Sequence, residues 1–412
     1  MVSEKTYPLP MPPLRFRPPA LAISPEARWM LLRAFGPAGA SFPETFDPAA
    51  ALALARSFEV SARIAARQGR ERLAAEVGEE AAEGFVRDRR SAAATGLRLM
   101  GEVRRVAAVA APLGIPLVLL KFAALEGAGL LAPGSRGACD VDLLAPGGRV
   151  RELWEALAAA GWRGSGLPEA EHQLPALVRP GGGAVEIHRH LPGVRLEGTA
   201  SADYRALERL EMLRPLSGFP GRCAAPEPEV LAAHALVHGL GQHGYWPASY
   251  PLLKMVADLI DLDALGDRAL SWVERDVPPP EALAARRLVR RLAAGEDPAG
   301  WTPETPEGND EEVLLRHLLA GRLDPGYEQA LRLGLFRPQP SERSRPVQLA
   351  RAVLGATFLT DAQIDAVYGP PRSRLGYLGR RLARPFDLLR RLGSYGARWA
   401  RLRRPGGYTP PP

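Results

Sequence analysis

Residues 116–145 read PLVLLKFAALEGAGLLAPGSRGACDVDLLA. A short apolar run ends at Lys121, and after a glycine-containing loop a second run opens with Asp140 and Asp142. PLVLLK, bounded by Pro116 and Lys121, predicts a buried strand; AALEGAGLL predicts a short helix and APGSRG a loop. DVDLLA predicts a second strand, stopped by Pro146-Gly147-Gly148. GRVRELWEALAAAG then has the spacing of an amphipathic helix with Gly161 at its C-terminal end. GAVEIHRHL predicts a third strand, with Val185 and Ile187 on one face and Glu186, His188 and His190 on the other. Strand, helix, strand, helix, strand over about seventy residues makes an α/β unit.

Both flanks read as helical. On the N-terminal side, DPAAALALARSFEVSARIAARQ and SAAATGLRLMGEVRRVAAVAAPLG repeat apolar residues at three- and four-residue spacing. Pro112 and Gly114 end the second of these. After Leu191 the segments EPEVLAAHALVHGLGQH, PLLKMVADLIDLDAL, EALAARRLVRRLAAG and DEEVLLRHLLAG predict further helices, and no internal repeat is visible. The fold class is therefore α+β, a small mixed β-sheet core flanked by helical regions. Its expected parts are a Pro-rich, poorly ordered lead-in (1–20), an N-terminal helical region (21–113), the α/β core (114–195), a C-terminal helical region (196–336) and an Arg-rich, partly ordered tail (337–412).

At 412 residues the chain can bury a substantial core. Of its 53 basic residues only Lys5, Lys121 and Lys254 are lysines, so Lys121 stands against a strong arginine bias. The formal charge of +7 is unevenly placed. Residues 372–404 hold eleven arginines and one aspartate, which leaves the rest of the chain near −3. That distribution argues against a nucleic-acid-binding core and confines affinity for polyanions to the tail. Two cysteines, Cys139 and Cys223, are too few for a disulfide framework. The N-terminus lacks the apolar segment of a secretory signal, and the longest apolar stretch is too short to span a bilayer. The expected location is the cytoplasm.

The chemistry lies in the acidic residues. Asp140 and Asp142, two apart on a strand, leave the same face roughly 7 Å from one another. Charges that close raise each other's pKa, and a divalent cation relieves the conflict because Mg²⁺ prefers hard oxygen ligands. Glu186 on the third strand would add a carboxylate, as in the metal sites of in-line phosphoryl transfer. An ordinary polar strand face has the same pattern, so the order of the surrounding segments has to decide.

That order resembles the nucleotidyltransferase superfamily with the DNA-polymerase-β-like fold. More narrowly it resembles a family of uncharacterised bacterial nucleotidyltransferases: lysine after the first strand, then R-x-x-x-D-x-D with two apolar residues, then an E-hydrophobic-H strand. Lys121, Arg136, Asp140, Asp142, Glu186 and His188 match, over a likeness covering roughly residues 25–265. His234, His238 and Asp258 match the helices that follow. The resemblance implies transfer of a nucleoside monophosphate from an NTP such as ATP to a hydroxyl of a small molecule or protein, with release of pyrophosphate. Asp140, Asp142 and Glu186 would be the catalytic and metal-binding carboxylates, holding Mg²⁺ (or Mn²⁺). Lys121, Phe122, Ala123, Gly134, Ser135 and Arg136 would surround the phosphates, with His188, His234, His238 and Asp258 as auxiliary residues. Phe122 stands where the family has glycine, at a point where a side chain would intrude on the triphosphate. A catalytically degenerate, binding or regulatory member is thus the alternative.

Two further readings come from the residues themselves. His188 with His190, and His234 with His238, have spacings that could hold a metal in a hydrolase, although the helical pair lacks the glutamate of H-E-x-x-H. The tail, SRLGYLGRRLARPFDLLRRLGSYGARWARLRR, interleaves arginines with apolar and aromatic residues. It could dock on an acidic partner or an acidic membrane surface, or pack back on the body.

Overall fold

The computed structural model describes residues 23–37, 42, 45–165, 171–242, 252–298, 301, 310–323, 373 and 375–383. The chain divides into two compact units, Met1–Arg15 with Ala22–Leu318, and Phe16–Leu21 with Leu319–Pro412. The Pro-rich lead-in and most of the Arg-rich tail lie outside the described residues. Within the second unit a helix covers 375–383, and Leu375, Leu378 and Leu382 are exposed on it. Among the described residues no helix is long and apolar enough to cross a membrane.

The first unit opens with helices α1 (Pro25–Phe35), α2 (Pro48–Ser57), α3 (Ser61–Gln68) and α4 (Arg70–Ala110). The first two begin as their sequences dictate, with a capping side chain and proline in the first turn. Ser24 Oγ accepts from Ala27 N, and Asp47 Oδ1 from Ala49 N at 2.8 Å. The long α4 is two helices joined at Gly78, whose φ of 77° and ψ of 163° only glycine adopts readily. Its C-terminal half buries Leu99, Met100, Val103, Val106 and Ala107.

The core is a seven-stranded mixed sheet in the order β3-β4-β5-β2-β1-β9-β8. Its centre is β1 (Leu117–Leu119), β2 (Asp140–Leu144) and β5 (Ala184–His188), where the sequence pattern places strands. Helix α5 (Lys121–Gly127) follows β1, and α6 (Val150–Ala159) follows β2 and ends near Gly161, at φ +99°. β1 runs antiparallel to β2 with Leu119 opposite Leu143. β2 runs parallel to β5 with Asp142 opposite Glu186 and Leu144 opposite His188. That register sends Val141, Leu143, Val185 and Ile187 into the core, all at 1% exposure or less, and gathers the acidic residues on the other face.

The remaining strands of the sheet come from within 114–195 and, for β8 and β9, from beyond it. β3 (Arg163–Gly164) and β4 (Leu177–Val178) extend the sheet at one side. On the other, β9 (Cys223–Pro226) pairs in parallel with β1 and carries the edge strand β8 (Leu213–Leu216), which tolerates Pro215 because an edge needs fewer donors. The region after Leu191 is thus not wholly helical. The GAVEIHRHL strand also breaks at Arg189, so His190 falls on β6 (His190–Leu191), paired with β7 (Ala202–Asp203) apart from the main sheet. Helices α7 (Tyr204–Arg209), α8 (Pro228–Leu236), α9 (Leu252–Leu262), α10 (Asp267–Ser271), α11 (Pro279–Ala294) and α12 (Asp310–Leu323) complete the described chain, with a π-helical turn, Val237–Gln242, after α8.

The loop between α5 and β2 rests on α4 at Gly134. Its φ is +71°, and a Cβ there would lie 2.6 Å from the Arg89 carbonyl oxygen. At Gly137 an added Cβ would meet nothing within 4 Å. Gly134→Ala is therefore expected to destabilise the protein by roughly 2–4 kcal/mol, from left-handed strain plus the backbone clash. Gly137→Ala should stay within about 0.5 kcal/mol of wild type. Urea unfolding of both variants checks the contrast, and equal costs would remove the packing role given to Gly134.

Candidate active site

The site is built on Asp142, a carboxylate 2% exposed in the middle of the sheet. A charge so buried needs partners, and the two strands beside β2 deliver them. Lys121, the first residue of α5 just past β1, places Nζ 2.8 Å from Asp142 Oδ1. His188, at the end of β5, places Nε2 3.0 Å from the same oxygen and 3.9 Å from Glu186 Oε2. Lys121 reaches this position with φ at +46°, a left-handed conformation unusual outside glycine. Strain at a residue committed to a buried charge is what functional sites tend to hold.

The charges sort into two classes. Burial alone would raise the Asp142 carboxyl, but Lys121 and His188 hydrogen-bond it and hold it well below the usual carboxylate range. Burial and then the Asp142 charge push Asp140 up, against the pull of Lys121 and Lys254. Glu186 is raised by the same two causes, burial first. Burial disfavours the Lys121 ammonium, yet the facing Asp142 outweighs it and raises the group. Three carboxylates against one buried lysine leave a locally negative site suited to a cation.

A divalent cation fits the donors present. One atom each from Asp142, Glu186 and His188 lie within 4.8 Å of one another, and among the described residues this is the group that could hold a metal. Asp140, expected in that set, lies on the same face of β2 but outside it. His190, His234 and His238 do not enter it either, so the two histidine pairs do not form a nitrogen-ligated centre of their own among the described residues. His234 is buried beside the site, its pKa pushed down to about 3 by burial and by Lys121 and His188. His238 lies in the π-helical turn, with ring centroids 6.0 Å apart from His234.

The residues expected around the phosphates divide. Lys121 sits in the cluster. Arg136 does not stand free for phosphate: its guanidinium is 8% exposed and grips Asp258 of α9, Nε to Oδ1 at 2.5 Å and Nη2 to Oδ2 at 2.8 Å. A fork so engaged fastens the loop to α9, with Asp258 as its partner. Phe122 is 5% exposed and turns its ring into the packing with α4, where Gly96 leaves room; a Cβ at Gly96 would come 3.1 Å from Phe122 Cζ. The Arg136 guanidinium carbon lies 5.9 Å from the same ring's centroid. Ala123 and Ser135 are buried, and Gly134 serves the loop's contact with α4.

Residues 44–272 of the 412 match the model of a family described as uncharacterised nucleotidyltransferase, more than half the chain. The chain belongs to this family. Its superfamily is that of the DNA-polymerase-β-like nucleotidyltransferases. Comparison with curated proteins and with solved structures gives no match. The matched span runs from α2 through α10 and includes β1, β2, β5, α5 and α9.

Two residues near the site carried little signal in the sequence. His172, in the segment before β4, stacks on His188 with centroids 5.7 Å apart, and burial together with the neighbouring histidines pushes its pKa down to about 4. Nothing in EAEHQLP marks it. Lys254 of α9 lies in the field of Asp140 and pairs with Glu59 at 3.1 Å; its one mark is that the chain has only three lysines. The Arg136–Asp258 pair yields a direct test. Arg136→Met or Asp258→Leu alone strands a buried charge and should cost about 3–5 kcal/mol, whereas the double variant should lose much less than the sum. Additive losses in urea unfolding would show that the two residues act independently.

Proposed function

We propose that the protein transfers a nucleoside monophosphate from an NTP to a hydroxyl of a small molecule or a protein, releasing pyrophosphate. Family membership supports a nucleotide donor and an acceptor, and the observation that carries the reading is the cluster on one sheet face: Asp142 with Lys121, Glu186 and His188. Asp142 and Glu186, with Asp140 on the same face, would hold a divalent cation, which when bound supplies charge neutralisation on the phosphates.

The acceptor oxygen attacks the α-phosphorus, its bond forming as the bond to pyrophosphate breaks. The hydroxyl proton goes to a carboxylate of the cluster that the cation leaves free, for which Asp140 on the same face of β2 is in place. Lys121 supplies positive charge where the leaving pyrophosphate gains negative charge. Its ammonium is anchored 2.8 Å from Asp142 Oδ1. The alternative of a binding-only member turned on a Phe122 side chain intruding on the phosphates. The packing of that ring against Gly96 favours the active reading.

The test is thermal unfolding with ATP, GTP, CTP and UTP, each with and without Mg²⁺ or Mn²⁺, for wild type and for Asp140→Asn/Asp142→Asn. A ligand at a hundred times its Kd stabilises by about 2.7 kcal/mol. A cation-dependent rise in Tm is expected with a preferred nucleotide, absent in the double variant. Single-variant Glu186→Gln should reduce the cation-dependent Tm rise and slow pyrophosphate release by about a hundredfold or more once an acceptor is supplied. Absence of any Tm shift at millimolar nucleotide would sink the proposal.

A further inference from the structure

The donor set at the cluster is not the all-oxygen one that Mg²⁺ prefers. We propose that His188 Nε2 is itself a metal ligand, beside Asp142 and Glu186, and that the site is selective for a Mn²⁺-type cation over Mg²⁺. The inference rests on the nucleotidyl-transfer reading for the purpose of the cation, while its geometry stands on the residues alone.

Three observations carry it. Nε2 does not merely satisfy Asp142; it approaches two carboxylates at once, 3.0 Å from Asp142 Oδ1 and 3.9 Å from Glu186 Oε2. The imidazole is 3% exposed and its Nδ1 has no hydrogen-bond partner among the described residues, so no bond there holds the proton on Nε2, and with the proton on Nδ1 the Nε2 lone pair faces the carboxylates. The stacked His172 ring, 27° from parallel, covers one side of it and fixes its plane. The register of β2 against β5 supplies the rest: Asp142 and Glu186 are cross-strand neighbours, and His188 is two residues further along the same face.

The chemistry follows from the ligands. Mg²⁺ demands oxygen donors in near-octahedral array and sheds its water reluctantly. Imidazole nitrogen suits transition metals such as Zn²⁺ and Fe²⁺; Mn²⁺, at the oxygen-preferring end of that series, tolerates one nitrogen among carboxylates better than Mg²⁺ does. Two carboxylates and one imidazole therefore tip the balance away from Mg²⁺. Histidine in the E-hydrophobic-H strand becomes a selector of the cation, and Asp140, outside the tight group, is left to face the incoming phosphates or a second ion.

Pulsed electron paramagnetic resonance on the full chain loaded with Mn²⁺ tests this. A directly bonded imidazole gives a ¹⁴N modulation, which shifts to ¹⁵N when the protein is grown on ¹⁵N-histidine. His188→Gln, checked for folding by circular dichroism, should lose the modulation and bind Mn²⁺ about tenfold or more weakly, with Mg²⁺ affinity changed by less than about threefold. If the variant fails to fold, the isotope shift in wild type decides, because His188 contributes the one nitrogen in the group. Mn²⁺ bound without nitrogen coupling, or an unchanged Mn²⁺ to Mg²⁺ preference in folded His188→Gln, overturns the inference and leaves the carboxylate site standing. Wild type that binds no Mn²⁺ at all, with or without NTP, overturns both.

Discussion

Burying the Asp142 carboxylate is the constraint from which the rest of the arrangement follows. A charge 2% exposed inside a sheet costs several kcal/mol unless cations and hydrogen bonds answer it. Both answers come from the neighbouring strands, Lys121 from just past β1 and His188 from β5, so the strand order β5-β2-β1 is a requirement of the charge as well as of the core. The left-handed backbone at Lys121 belongs to the same requirement. It turns the chain from the end of β1 into α5 at the residue whose ammonium must meet the carboxylate.

The helices around the sheet hold this arrangement through a charged stripe. Lys254, Asp258 and Asp261 recur at four- and three-residue spacing along one side of α9. They meet Glu59 from the turn before α3, Arg136 from the loop before β2, and Arg63 from α3, the last in a two-point pair at 2.6 and 2.9 Å. The Arg136–Asp258 pair is buried and the Arg63–Asp261 pair nearly so, adding little net stability over apolar packing, while Glu59 of the third pair is open to solvent. The N-terminal helices, the sheet loop and α9 are thereby fixed to one another around the acidic face, with Lys254 held in the field of Asp140.

Much of this was legible in the sequence, for reasons that differ from residue to residue. DVDLL and VEIH alternate cleanly, so their faces could be assigned before their pairing was known, and the register then brought Asp142 opposite Glu186. β9 escaped because CAAP lacks β-branched residues and ends in proline, so its place is decided by pairing with β1 rather than by local preference. β3 and β4, two residues each, are too short to show a period. Arg136 and Asp258 could both be singled out, but not their partnership across 122 positions, which only the tertiary fold reveals. His188 had a place in the motif without a role; its position between two carboxylates depends on the strand ending where it does.

Phe122, next to the lysine that meets Asp142, shows how a bulky side chain beside the site is accommodated. A glycine after that lysine leaves space for whatever approaches the backbone, and a phenylalanine in its place has to put its ring elsewhere. Here the ring is taken up by the neighbouring helix: Gly96 lacks the Cβ that would crowd it, and the Arg136 guanidinium, fixed by Asp258, lies near its face. The same pair that anchors the loop therefore helps to define the slot for the ring. Large residue, small residue and ion pair form one packing unit, so a change at position 96 or 136 reaches Phe122, and through it the residue whose ammonium holds Asp142. The Phe122 ring is thus taken up by the helical scaffold rather than by the acidic face, whose carboxylates keep their register and their partners.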